Sequence, residues 1–355
     1  MIHFVLLIVC AAVIYLACEW FVNAVEWLGQ RLKVGPLAVG TILAAFGTAL
    51  PESVVTFVAV VFGTSGAQKD IGVGAAMGGP LALATVAYGV TGWMMLARRR
   101  TRGKATVPGG APVPVDGPAE GTTLTITAAA QDVGDIAKLA RDQRWFLAIF
   151  VVKVALGLVA FAIKPWLGLL FFAAYAVYFW REMRGGGEHS DGADLAPLLL
   201  QRRRATPATW AVVTQTLITL AIIFAASQLF VHQLDAIGPM LGLPAAVTAL
   251  LLSPIATELP EIMIAIIWVR QGKTKLALAN ISGAMMIQAT VPSGLGLLFT
   301  PWRFDAPLLI SGIVTMVAIV YLLIMLRLGR FNARTLSFAA VFYLAFAAAL
   351  IPVLA

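Results

Sequence analysis

Gly47-Thr48-Ala49-Leu50-Pro51-Glu52-Ser53 and Ser253-Pro254-Ile255-Ala256-Thr257-Glu258-Leu259-Pro260-Glu261 are two versions of one pattern. Thr48, Leu50, Pro51 and Glu52 return as Thr257, Leu259, Pro260 and Glu261, 209 residues later. Extended outward, the match runs without a gap from Glu19 to Glu52 and holds nine identities in 34 positions, including Phe21-Val22 with Phe230-Val231, Gly29 with Gly238, Leu32 with Leu241 and Leu43 with Leu252. Glu26 and Asp235 form a conservative pair. Beyond Glu52 the offset slips to 205, which sets Gly78 opposite Gly283. Self-similarity at a fixed offset marks a chain built from two copies of one unit.

The surroundings say what kind of unit. Of 355 residues, 60% are hydrophobic and 12% charged, about half the charge density of a soluble domain. Apolar runs of twenty residues recur, which excludes a soluble globular fold and marks a polytopic, all-α membrane protein. The expected spans are Ile2 to Leu28, Pro36 to Phe62, Ile71 to Ala97, Trp145 to Ile163, Pro165 to Trp180, Pro207 to Ala236, Leu243 to Val269, Leu276 to Phe299, Ala306 to Leu326 and Thr335 to Leu354. That makes ten transmembrane helices. The first apolar run has no basic residue before it and no small-residue cleavage site, so it reads as a retained span. Cys10 and Cys18 lie within it as small apolar residues.

Loop charges test this plan, because cytoplasmic loops collect Lys and Arg. Alternate loops hold 21 cations on one side (Arg31 and Lys33; eight from Arg98 to Arg144; five from Arg181 to Arg204; Arg270, Lys273 and Lys275; Arg327, Arg330 and Arg334) against Lys69, Lys164 and Arg303 on the other. Ten spans with both termini outside the cytoplasm, in the cell (inner) membrane, produce this separation. Joining the two spans at Lys164-Pro165 would destroy it. The net charge of +8 therefore reflects topology and not nucleic-acid binding. Residues 98–144 form a polar cytoplasmic loop with the Pro/Gly-rich VPGGAPVPVDGP stretch and a short helix near Ala128 to Leu139. The first repeat is residues 1–181, a cytoplasmic linker covers 182–206, and the second repeat is 207–355. Each repeat holds five spans. Five is odd, so the copies lie in opposite orientations, as in transporters that work by alternating access.

Glu52 and Glu261 fall near the middle of the second and seventh spans, where an ionisable group costs at least about 2.5 kcal/mol to insert and so reads as functional. Pro51 and Pro260 cannot donate to the carbonyls of Gly47 and Ala256, which frees backbone oxygens beside each carboxylate. Thr48 and Thr257 add hydroxyls. Two clusters of hard oxygens suit Na⁺ or Ca²⁺ and not soft metals. Glu258 supplies a third carboxylate, about 60° from Glu261 around a helix. It reads as a proton carrier or replacement ligand, or as a lumen-facing acid paired elsewhere.

These motifs resemble the two alpha-repeat signatures of the Ca²⁺/cation antiporter superfamily, which includes the sodium/calcium exchangers. The resemblance covers both halves and the ten-span plan. It implies that Glu52 and Glu261 are the two central cation-binding glutamates, that Thr48 and Thr257 accompany them, and that Ca²⁺ or another cation exchanges for Na⁺ or H⁺. Where that family carries a further motif of the GSNxxN or GSNxxD kind, this chain has Gly78-Gly79-Pro80-Leu81-Ala82-Leu83 and Gly283-Ala284-Met285-Met286-Ile287-Gln288. Of those donors only Gln288 keeps an oxygen, so the transported ion stays open. A proton-coupled exchanger of a monovalent or other divalent cation is the alternative within transport.

An intramembrane enzyme is disfavoured: no HExxH, Ser/His or Cys/His constellation and no phosphate loop occurs, and three His are present. The inverted repeat disfavours a passive channel. No cofactor is implied; the partners are inorganic cations and the lipid bilayer, with monomer and homodimer both open. Remaining polar residues divide as follows. Glu19 lines a pathway or is structural. Lys153 pairs with an acid or lies in a wet crevice. His232 and Asp235 sit at the interface, and Asn280 bonds a neighbouring backbone. Gly72, Gly74, Gly78, Gly79 and Gly283 are close packing positions, while Trp93, Trp180 and Trp302 belong to the interfacial belt.

Overall fold

The computed structural model describes residues 2–63, 66–104, 130–184, 195–242 and 251–354, and among them every regular element is helical. Helix α1 (Ile2–Leu32) ends where Lys33 takes φ 54. The second expected span is not one rod. A turn at Pro36–Ala38 leads into a π-helical stretch (Val39–Ala44), α2 (Ala45–Phe57) and a second π stretch (Val58–Phe62). The segments Val39–Ala49 and Glu52–Phe62 meet at 46°, because the Pro51 ring blocks the bond to the Gly47 carbonyl and crowds it. Helices α3 (Gly66–Ala82) and α4 (Tyr88–Lys104) join through a π turn at Leu83–Ala87, just past Pro80.

Helix α5 (Ala130–Leu158) corrects one expectation: the short helix near Ala128 to Leu139 is the first turns of this longer one. The chain then leaves the helix, and a 3₁₀ turn (Lys164–Leu167) opens α6 (Gly168–Arg184), so the break at Lys164-Pro165 is present. Helix α7 covers Thr209–Met240. The start of the span expected over Leu243 to Val269 lies outside the described residues, as do the Pro/Gly-rich stretch and the GGG of the linker. That span continues as α8 (Ser253–Thr257) and α9 (Leu259–Gln271), interrupted at Glu258. Helices α10 (Thr274–Phe299), α11 (Ala306–Arg327) and α12 (Ala333–Leu354) complete the chain. Asp305 caps α11 by accepting from the Leu308 N–H at 3.1 Å.

Among the described residues, six helices are long and apolar enough to cross a membrane, or seven with the bent pair. The other expected spans fall short for local reasons. Arg141, Asp142 and Arg144 precede a short apolar part of α5 that Lys153 interrupts, α6 has 17 residues, and α9 has 13. Helix α10 is central, with its residues from Ala277 to Gln288 buried without interruption and α2, α3, α5, α6 and α9 all packed on it. Helices α1 and α7 lie against each other at the periphery.

Lipid offers little hydrophobic drive for helices to associate, so close packing of small residues has to hold the bundle. A Cβ on Gly283 would stand 2.1 Å from the Thr41 carbonyl oxygen, and one on Gly168 would stand 2.5 Å from that of Gly294. Gly72 and Gly78 are similarly close to Val60 and Pro254, but Gly74 faces open space and is not a packing position. Trp93 and Trp180 are exposed as expected, whereas Trp302 is fully buried. Its Nε1 donates to the Lys153 carbonyl at 3.2 Å, so it is a core residue and not part of the interfacial belt.

Two polar ties hold the end of the bundle expected to face the cytoplasm. Glu26 accepts from Trp268 Nε1 at 2.9 Å and from Lys273 Nζ at 2.5 Å, joining α1 to α9 and α10. Glu182 of α6 pairs with Lys138 and Arg141 of α5 and accepts from the Thr41 hydroxyl at 3.0 Å. Neither carboxylate figured among the sequence candidates, because each signal is a lone acid near a helix end until the tertiary partners are known.

Candidate cation site between the broken helices

The two proline breaks put Glu52 and Glu261 into one place. Glu261 is fully buried in the first turn of α9, while Glu52 is half-buried in α2 with one oxygen out of contact with solvent. The Glu52, Glu258 and Glu261 carboxylates are close enough to repel one another. Thr48 of α2 lies beside Glu261, so the first broken helix brings a hydroxyl to the acid of the second. Cys18 of α1 approaches from behind, its Sγ 3.8 Å from the Pro260 carbonyl.

The hydrogen bonds divide these groups. Thr48 donates to the Ala44 carbonyl at 3.0 Å and Thr257 to that of Pro254 at 3.1 Å, which leaves each hydroxyl oxygen able to accept or ligate. Gln288 Nε2 donates to both oxygens of Glu258, at 2.7 and 2.8 Å. Among the described residues, no protein group donates to Glu52 Oε2, to either Glu261 oxygen or to Gln288 Oε1, all of them buried. Buried acceptors without donors are costly unless a cation or proton meets them. Hard oxygens of this kind fit an alkali or alkaline-earth cation. Among the described residues, no three His, Cys, Asp or Glu side chains already converge in metal-holding geometry. The arrangement is a set of candidate oxygen donors near one another, not a preformed cage.

Other sequence candidates sort differently. Lys153 is fully buried, and its partner is not an acid: Nζ donates to the Ala76 carbonyl at 2.6 Å and lies 4.7 Å from the centre of the Phe150 ring. Pro80 explains this, since a residue with an N–H at that position would take the Ala76 carbonyl within α3. Lys164, expected in an outer loop, is buried and donates to the Val159 and Trp302 carbonyls at 2.6 and 2.9 Å. Asn280 does not bond a neighbouring backbone through its side chain; among the described residues both its side-chain polar atoms are buried without a partner. Glu19 and its repeat mate Gln228 are exposed on α1 and α7, so Glu19 does not line the interior. His232 is exposed, and the Asp235 side chain lies outside the description.

Comparison with known proteins agrees with this geometry. A family profile described as sodium/calcium exchanger protein matches residues 2–183 and 211–350. The "Putative antiporter CaxA" of Alkalimonas amylolytica is 26% identical over 322 residues, 88% of this chain and 86% of that protein. The inner membrane protein YrbG of Escherichia coli (strain K12) is 25% identical over 325 residues, 91% and 88% of the two chains. A solved structure of the sodium-calcium exchanger NCX_Mj superposes with a TM-score of 0.70 at 15% identity, covering 98% of each chain, which establishes a shared fold. The profile covers both halves of the chain, including Glu52, Glu258 and Glu261, and the chain accordingly belongs to the sodium/calcium exchanger protein family.

Proposed function

We propose that the protein is a secondary active cation antiporter that exchanges Ca²⁺ or another cation for Na⁺ or H⁺ by alternating access. The observation that carries the reading is the set of buried, donorless oxygens on Glu52 and Glu261, held by two proline-broken helices. In this reading Glu52 and Glu261 bind the cation, Thr48 and Thr257 supply neutral oxygens, and Glu258 and Gln288 flank them.

Alternating access calls for ten spans in two inverted five-helix repeats, and reciprocal packing supports that plan. Helix α1 touches α9 as α7 touches α2. Helix α2 lies on α10 as α9 lies on α4, and α10 contacts α6 as α4 contacts α12. The exchange of partners is what a two-fold axis in the membrane plane would produce. Both termini lie outside the cytoplasm in this plan, in accord with the 21-to-3 division of loop cations. Proton coupling is the second reading, favoured by Glu258, an acid where the first repeat has Ala49.

Flux in proteoliposomes tests the proposal. Uptake of Ca²⁺, or of another cation found to bind, should require an opposing Na⁺ or H⁺ gradient, and Glu52→Gln and Glu261→Gln should each abolish it. Uncoupled flux would mark a channel. Intact exchange in both variants would refute the site.

A further inference from the structure

We propose that Gln288 is a latch that holds Glu258 apart from Glu52 and Glu261, so that Gln288, Glu258 and Gly79 together set the cation selectivity of the site. The inference rests on the reading of Glu52 and Glu261 as the cation site and adds to it a reason for this chain's departures from the family motif.

One Gln288 amide nitrogen bridges both Glu258 oxygens at 2.7 and 2.8 Å, with Glu258 fully buried and Gln288 nearly so. Among the described contacts this amide is the donor to Glu258. The pair sits against bare backbone. A Cβ on Gly79 would stand 2.5 Å from Gln288 Oε1 and 2.6 Å from Glu258 Oε1, so any other residue there would displace the pair. Gly79 occupies the position where the family motif has Ser. A Ser side chain on the α3 side therefore requires the Gln288–Glu258 pair to move from this position.

Glu258 also stands at the interruption between α8 and α9, with φ −85 and ψ 6. A residue at a helix break can turn without unwinding a continuous helix. Released from Gln288, its carboxylate has a short path toward Glu261, three residues on and about 60° around the axis. Latched, the site offers two unengaged carboxylates. Unlatched, it offers three. Ligand charge count is a main determinant of how strongly an oxygen site holds a divalent cation, whereas a monovalent cation gains less from a third negative charge. The latch therefore restrains divalent affinity.

The test is equilibrium binding of Ca²⁺ and of Na⁺ to the purified full-length chain, with wild type, Gln288→Leu, Gly79→Ser and the double variant Gln288→Leu/Glu258→Gln compared. Opening the latch, by removing the amide or by ejecting the pair with a Ser side chain, should raise the Ca²⁺-over-Na⁺ affinity ratio on the order of tenfold. The double variant should return the ratio to the wild-type value or below. An unchanged or lowered ratio in the folded single variants would overturn the proposal. Should Gln288→Leu not fold, Gly79→Ser decides alone, and Gln288→Met, closer in volume and without the amide, replaces it if that too is lost. Glu52→Gln separates the two readings: if it leaves binding of both cations untouched, the cation-site reading fails, and if it removes binding while the ratio in Gln288→Leu stays put, the latch alone fails.

Discussion

Asp142 lies on α5, three residues before Trp145, where the apolar part of the helix begins and so outside the membrane-spanning segment. Its side chain is 3% exposed, and its contact with a cation is loose, 3.9 Å to Arg141 Nε. Glu182 has taken the nearby donors, engaging Lys138, Arg141 and Thr41. Burial, and then repulsion from Glu182, push the Asp142 carboxyl up from 3.8 to about 7, although Lys138, Arg141 and Arg181 pull the other way. An acid whose folded pKa is raised stabilises the fold fully below about pH 4 and loses that contribution as pH climbs through 7. A shift of about 3 units at 1.36 kcal/mol each sets an upper bound of about 4 kcal/mol, of which about 3 falls between pH 5 and pH 8. Asp142→Asn keeps the shape and removes the titration. The thermal midpoint of purified protein, followed from pH 5 to pH 8, should fall in wild type relative to the variant, with the gap widening up to pH 7 and then levelling. Parallel curves for the two proteins would refute the argument, because titrating groups not coupled to Asp142 cancel in the difference.

Three further outcomes follow from the packing and polar contacts. Lys153→Met should leave the Ala76 carbonyl without a donor and destabilise the fold, and Pro80→Ala, which restores an N–H within α3, should recover about 1–2 kcal/mol of that loss in a double-mutant cycle; strict additivity would mean that Lys153 does not serve the proline gap. Gly283→Ala drives a Cβ to 2.1 Å from the Thr41 backbone oxygen and should sharply lower the yield of folded protein. Gly74→Ala, with nothing within 4 Å, should be neutral or gain up to about 1 kcal/mol from helix propensity; equal yields would contradict the helix spacing. Asn280→Leu removes two buried polar atoms that have no partner and should raise thermal stability by about 1–3 kcal/mol. A fall in stability would show that the amide is satisfied in the working protein.

The sequence by itself determined the membrane class and the family, and it singled out the two Pro-Glu motifs as candidates. Those readings depend on local facts: apolar runs long enough to span, a proline that must break a helix, and charge too costly to bury without use. It also located the break at Lys164-Pro165, since a proline's missing N–H acts within its own helix. What it misjudged were partners. For Lys153 the sequence offers an acid partner or a wet crevice, and the structure instead satisfies it with a carbonyl that Pro80 releases on another helix. Trp302 was read as interfacial and is core, while Gly74 was read as packed and faces open space. The ties of Glu26 and Glu182 show only once Trp268, Lys273, Lys138, Arg141 and Thr41 come beside them from elsewhere in the chain. Only the tertiary structure could decide that Gln288 engages Glu258 over Gly79, because that contact joins residues 79, 258 and 288 from three helices. Spacing along one helix fixes which side chains share a face; which donor reaches which acceptor depends on how closely two helices approach, and here bare glycine sets that distance.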